Sequence, residues 1–119
     1  MDGEHVLVIT QDQQRDELLE ILFENGLNVT RLESMHDISN ISGLDGFDLA
    51  LIDLDMTCVS NNSIHRLKQK NADIWILGFS CKSYHPHLRE SLQDYMFGVV
   101  AKPPNPDELT YCLQCLLGK

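Results

Sequence analysis

The sequence predicts an alternating α/β domain: a five-stranded parallel sheet with helices on both faces. Three observations carry this. Continuous apolar runs recur at Val6–Ile9, Leu49–Ile52 and Ile74–Phe79, the pattern of strands buried on both faces. Segments of helical periodicity lie between such runs, as parallel crossovers require. Several runs end on a polar residue, among them Asp53, Ser80 and Lys102, where a strand would surface.

Taken in order, Val6-Leu7-Val8-Ile9 reads as the first strand. Residues 16–25 place Leu18, Leu19, Ile21, Leu22 and Phe23 among charges, and Asn25-Gly26 supplies a helix stop. Residues 27–32 alternate, which predicts a half-buried strand. Residues 35–42 have only weak helical character. Leu49–Ile52 is the third strand. Residues 60–70 form a short helix with Ile64 and Leu67 inward. Residues 74–79 are the fourth strand, ending at Ser80. Residues 86–95 are helical with Pro86 near the start, where a missing N–H costs least. Val99-Val100-Ala101 is the fifth strand and ends at Lys102. Residues 106–117 make the last helix, with Leu109, Cys112, Leu113, Leu116 and Leu117 apolar. The expected architecture is a doubly wound sheet with right-handed crossovers and flavodoxin-like order 2-1-3-4-5.

A length of 119 residues suits one domain, residues 1–119, with a core large enough to need no staples. The chain stops just after the last helix, which fits the N-terminal part of a longer regulator. No apolar run approaches a membrane span. The N-terminus lacks a basic region and a small-residue cleavage site, so a cytoplasmic protein is expected. The net charge of −9, without a Lys/Arg cluster, argues against direct nucleic-acid or anionic-membrane contact. Thr10-Gln11-Asp12-Gln13-Gln14 contains no glycine, which speaks against a nucleotide-phosphate loop after the first strand.

Four cysteines are present. Cys112-Leu113-Gln114-Cys115 has C-x-x-C spacing but lies late in a helix, where two inward-packed thiols are the simpler reading. Cys58, Cys81, His85 and His87 fall in two loops of one rim and carry ligand types suited to zinc. Their irregular spacing favours a free surface thiol and solvated histidines.

Asp53, Ser80 and Lys102 are the chemical candidates. In open α/β sheets, ligands bind at the carboxyl ends of the strands. A carboxylate there can act as nucleophile, an ammonium can neutralise phosphoryl oxygens, and a hydroxyl can bond one of them.

Across nearly its whole length the chain resembles the response-regulator receiver family. Phe47-Asp48-Leu49-Ala50-Leu51-Ile52-Asp53-Leu54-Asp55-Met56 is similar to the family's phosphoacceptor strand and loop. Gly98-Val99-Val100-Ala101-Lys102-Pro103 resembles its Lys-Pro strand end, and Asn105-Pro106-Asp107-Glu108-Leu109 the start of its last helix. The resemblance implies Asp53 as phosphoacceptor, Ser80 as switch hydroxyl, Lys102 as phosphate-sensing lysine and a cis Lys102-Pro103 bond. It implies a histidine kinase or phosphotransfer protein upstream and an output domain or partner protein downstream. It also implies a signalling role, not that of an independent enzyme, and a candidate homodimer face including Tyr95, Met96 and Tyr111.

The departures concern activation. Thr10-Gln11 stands where the family carries an acidic pair for magnesium, with Asp12 one residue later. Magnesium requires anionic oxygens, so a site left with Asp53, Asp55 and Asp12 should bind it weakly. Val99 occupies the aromatic switch position, Thr57 stands where proline is common, and Cys81 follows the switch hydroxyl. Two readings remain: a receiver with weakened magnesium-dependent phosphorylation, or a pseudo-receiver that acts as a protein-interaction domain without phosphorylation.

Overall fold

The computed structural model describes residues 4–11, 15–41, 43–82 and 84–118. Five parallel strands form one sheet: β1 (His5–Ile9), β2 (Asn28–Leu32), β3 (Leu49–Asp53), β4 (Trp75–Ser80) and β5 (Gly98–Ala101). Their order is β2-β1-β3-β4-β5, the flavodoxin-like order expected. Val8, Leu51, Ile76 and Val100 are all buried in it.

One face is covered by α1 (Arg15–Glu24) and α4 (Pro106–Leu117). Leu18, Leu19, Ile21 and Leu22 meet Val6, Val8, Leu49, Leu51, Leu109 and Leu113 in a continuous apolar core. Full burial of each leucine contributes about 1.5–3 kcal/mol. Phe23, in the same apolar stretch, faces solvent. The helix α1 stops where the Asn25 side chain donates to the Ile21 carbonyl and Gly26 turns to φ +75°. The helix α4 starts on Asn105, whose side chain accepts from the N–H groups of Asp107 and Glu108.

The opposite face is built differently. It carries α2 (Asn61–Lys70), α3 (Arg89–Asp94) and 3-10 segments at Met35–Asn40, Leu44–Gly46 and Pro86–Leu88. Within the weakly helical stretch expected at 35–42, Met35–Asn40 forms a 3-10 segment with Met35 and Ile38 inward. The predicted helix over 86–95 splits into a 3-10 turn and α3. Ser60 and Ser63 form a reciprocal cap at the start of α2, and Ile64 and Leu67 face inward as the pattern required.

Side-chain hydrogen bonds hold this layer together. Buried Asn71 donates to the carbonyls of Leu44 and Phe47. Asn61 donates to the His87 carbonyl and accepts from the Ser91 N–H and hydroxyl. Gly78 in β4 leaves room for the layer: a Cβ there would lie 2.6 Å from Leu54 and 2.7 Å from Met96.

Of the suggested pairing face, only Tyr111 is exposed. Met96 is buried against Gly78, and Tyr95 is half-buried with its hydroxyl 2.8 Å from His65 Nδ1. Met96 was set in that face by the family resemblance, which implied an outward position. The chain instead turns inward there to enter β5. Among the described residues, no helix is long and apolar enough to cross a membrane.

Candidate functional site

Strand register alone brings the polar strand ends together. Ile9 pairs with Ile52, so the residues that follow them, Thr10 and Asp53, are neighbours. Asp53 pairs with Phe79, and Ser80 pairs with Ala101, so Lys102 emerges one step beyond. The Lys102 N–H also continues the ladder onto the Ser80 carbonyl at 3.0 Å. Four strands therefore deliver a hydroxyl, a carboxylate, a second hydroxyl and an ammonium to one rim.

Asp53 is almost wholly buried, and both of its oxygens are engaged. Oδ2 accepts from Thr10 Oγ1 at 2.8 Å. Oδ1 accepts from the Asp55 N–H at 3.0 Å and from Lys102 Nζ at 2.9 Å. The Lys102 ammonium also lies 5.5 Å from the centre of the Phe79 ring, whose π face favours a cation. The Lys102-Pro103 peptide is cis, as the family resemblance implies.

The Ser80 hydroxyl bonds to Asp55 and not to Asp53. It donates to Asp55 Oδ1 at 2.6 Å, and Asp55 Oδ2 accepts from the Cys81 N–H at 3.1 Å and from Lys102 Nζ at 3.2 Å. Asp55 is thus the link that joins Ser80 to Lys102. Burial alone would raise its pKa. The hydrogen bonds from Ser80, from the Cys81 backbone and side chain and from Lys102 outweigh that and hold the carboxyl well below the usual range.

Asp53, Ser80, Lys102 and Asp55 therefore share one rim, while Asp12 lies outside the described residues. Thr10 was read as a lost magnesium ligand. Its place as a hydrogen-bond donor to Asp53 is visible only once β1 and β3 are set in register. The central position of Asp55 has no local signature at all, because its partners lie 25–47 residues away.

The cysteine and histidine candidates do not converge on one site, although the His85 and His87 rings lie edge to face with centroids 6.1 Å apart. Cys58 is half-buried and packs on the α2 side of the core, while Cys81 is exposed. His85 is buried, not solvated, and its Nε2 lies 3.2 Å from the Lys82 carbonyl. His87 is exposed. No group of three metal-ligand side chains occurs among the described residues. Of the two cysteines in α4 only Cys112 packs against the core, and burial raises its thiol pKa. Cys115 is exposed, which corrects the expectation that both would be covered. Three residues span about 300° of an α-helix, enough to carry Cys115 off the buried stripe.

No known family's sequence profile matches the chain, and no curated protein matches it. Solved structures do. A protein from Burkholderia thailandensis named for pilus assembly (cpaE) is 23% identical and superposes with a TM-score of 0.79, covering 98% of this chain and 99% of that one. The receiver domain of a sensor histidine kinase from Pseudomonas aeruginosa, with a magnesium ion coordinated in its active-site cleft, is 21% identical. Its TM-score is 0.75 over 98% of this chain and 99% of that one. A signal receiver domain of an HD domain-containing protein from Pseudomonas fluorescens reaches a TM-score of 0.85 at 11% identity, over 99% and 89%. The fold is that of the response-regulator receiver domains.

Proposed function

We propose that this chain is a response-regulator receiver domain in which Asp53 accepts a phosphoryl group, with weakened magnesium-dependent phosphorylation. The observation that carries the reading is the buried Asp53 carboxylate at a strand's carboxyl end, with the Lys102 ammonium 2.9 Å from it. In the transfer, an Asp53 oxygen attacks the phosphorus of a phosphohistidine or of acetyl phosphate. The phosphorus–nitrogen or phosphorus–oxygen bond breaks, and its electron pair leaves with the imidazole, protonated beforehand, or with acetate. Lys102 neutralises charge on the phosphoryl oxygens, and Ser80 is the hydroxyl that would bond one of them.

The described residues fit magnesium poorly. Both carboxylates already accept several donors, Thr10 directs its hydroxyl proton at Asp53, and Lys102 stands between Asp53 and Asp55. A divalent cation bound by Asp53, Asp55 and Asp12 is accordingly held weakly. Replacing Thr10 and Gln11 together by aspartate should strengthen magnesium binding, read from the amide shifts of Cys81 and Lys82. Trp75 is a poor reporter because it opens β4, at the far end from the rim.

The wider reading is a cytoplasmic signalling module spanning residues 1–119, part of a longer regulator. It has a histidine kinase or phosphotransfer protein upstream, an output domain or partner protein downstream, and no nucleic-acid or membrane contact of its own. Self-pairing would use the exposed surface that includes Tyr111. The pseudo-receiver reading is favoured by the hydrogen bonds that already engage both Asp53 oxygens. Incubation with acetyl phosphate and magnesium, followed by intact-mass measurement, separates the two. Slow formation of one phosphoryl adduct, abolished by Asp53→Asn, is expected. A wild-type chain that takes no phosphoryl group from acetyl phosphate or from any histidine kinase would establish the pseudo-receiver.

A further inference from the structure

We propose that Asp55 is a built-in anion occupying the seat that a phosphoryl group on Asp53 would need, so that the domain holds its anion-bound arrangement before any phosphorylation. The inference rests on the receiver reading for the identity of the competing anion, but its geometry stands alone.

Three donors of different kinds converge on one carboxylate. They are the Ser80 hydroxyl at 2.6 Å, the Cys81 backbone N–H at 3.1 Å and the Lys102 ammonium at 3.2 Å. They come from the ends of β4 and β5 and from the loop after β4, and a carboxylate, with two acceptor oxygens and a negative charge, satisfies all three together. The Ser80 oxygen also accepts from the Lys82 N–H at 2.9 Å, which leaves the hydroxyl proton directed at Asp55. The same Lys102 ammonium touches Asp53, so the seat lies directly beside the phosphoacceptor.

A phosphoryl group attached to Asp53 would seek a hydroxyl, a backbone N–H and a cation for its oxygens. All three are here turned to Asp55. Phosphorylation therefore has to expel a carboxylate from its hydrogen bonds, and the expelled carboxylate would then repel the new charge nearby. Two consequences follow together. Asp53 is a slow acceptor, and the β4 loop is held in place without it.

Amide NMR with inorganic phosphate tests this on wild type, Asp55→Ala and Asp55→Asn, without requiring any phosphoryl transfer. In wild type the Cys81 amide is expected at the position of a charge-assisted hydrogen bond and insensitive to phosphate. In Asp55→Ala it should move, and phosphate should restore it saturably, binding roughly ten-fold or more tightly than to wild type once the like charge is gone. Asp55→Asn keeps the side-chain volume and serves if the alanine variant fails to fold. It too should admit phosphate more readily than wild type. Equal phosphate response in wild type and variants would overturn the proposal, as would a phosphate response in none of them. The receiver reading is judged separately by acetyl phosphate. If Asp55→Ala gains the phosphate seat yet Asp53 never takes a phosphoryl group, the seat is real and the receiver chemistry is not.

Discussion

The two layers that cover the sheet are held by different forces. The layer of α1 and α4 is an apolar stack: Leu18, Leu22, Leu109 and Leu113 are buried on Val6, Val8, Leu49 and Leu51. The layer of α2, α3 and the 3-10 turns also has an apolar floor, but long-range polar contacts tie its pieces together. Asn71 bonds Leu44 and Phe47, Asn61 bonds His87 and Ser91, and Asp55 bonds Ser80 and Cys81. Full helices with a leucine stripe need no such ties. Short turns bury less apolar area per residue, and their exposed carbonyls and N–H groups must find partners. The loop that carries the site's second carboxylate and the loop that follows Ser80 belong to the stitched layer, so the chemistry sits where geometry is set by hydrogen bonds.

The largest effect should come from the stacked layer. Leu22→Ala removes a fully buried side chain between α1 and the sheet, and we expect about 3 kcal/mol of lost stability in chemical denaturation. A loss no greater than that of an exposed-site variant would mean the layer can collapse around the hole, and the contrast would weaken.

Next comes Asn71→Ala, which strips two carbonyls of their donor and leaves the Asp73 N–H without its acceptor. About 2 kcal/mol is expected. Hydrogen exchange should accelerate around residues 44–47 while the amides of α1 and α4 keep their protection. Uniform acceleration would show that the two layers open as one.

Smaller again is Ser60→Ala, which removes the reciprocal cap of α2 at a cost of about 1 kcal/mol. Asn105→Ala at the start of α4 provides the matched cap in the stacked layer. It should cost a similar amount, but its effect should stay within the first turn of α4, because the leucine stripe holds the rest.

The smallest effect is a pH dependence. The Asp55 carboxyl titrates below its ordinary value of 3.8 in the folded chain because of the bonds from Ser80, Cys81 and Lys102, which overcome the opposing effect of burial. Its contribution to stability is therefore present above that value and is lost as pH falls below it. The gap in stability between wild type and Asp55→Asn, measured near neutral pH and at about pH 3, should narrow at the lower pH. A gap that widens on acidification would mean the carboxylate is not stabilised by its partners.

Much of the stacked layer was legible in the sequence. Leucines at helical spacing, Asn25-Gly26 after α1 and Asn105-Pro106 before α4 mark boundaries that the structure reproduces within a residue. The stitched layer was read less well. Residues 35–42 promised a weak helix, but Met35–Asn40 fold as a 3-10 segment, and the helix over 86–95 breaks in two. Met96, which the family resemblance set in a pairing face, is buried under Gly78. Short turns lack a period, so their burial is decided by what lies opposite. The site divides in the same way: Asp53, Ser80 and Lys102 announced themselves as polar strand ends, and Thr10 and Asp55 did not announce their roles.

The amino-acid sequence by itself determined the five strands, their parallel alternation with helices and the rim on which three polar residues emerge. Apolar runs and 3.6-residue periodicity are local properties, and burying them leaves few arrangements. Only the tertiary structure decided that Thr10 donates to Asp53 and that Asp55 gathers Ser80, Cys81 and Lys102. Those contacts join residues 25–47 positions apart, and a hydrogen bond of that kind depends on ångström-scale register between strands, which no local pattern encodes.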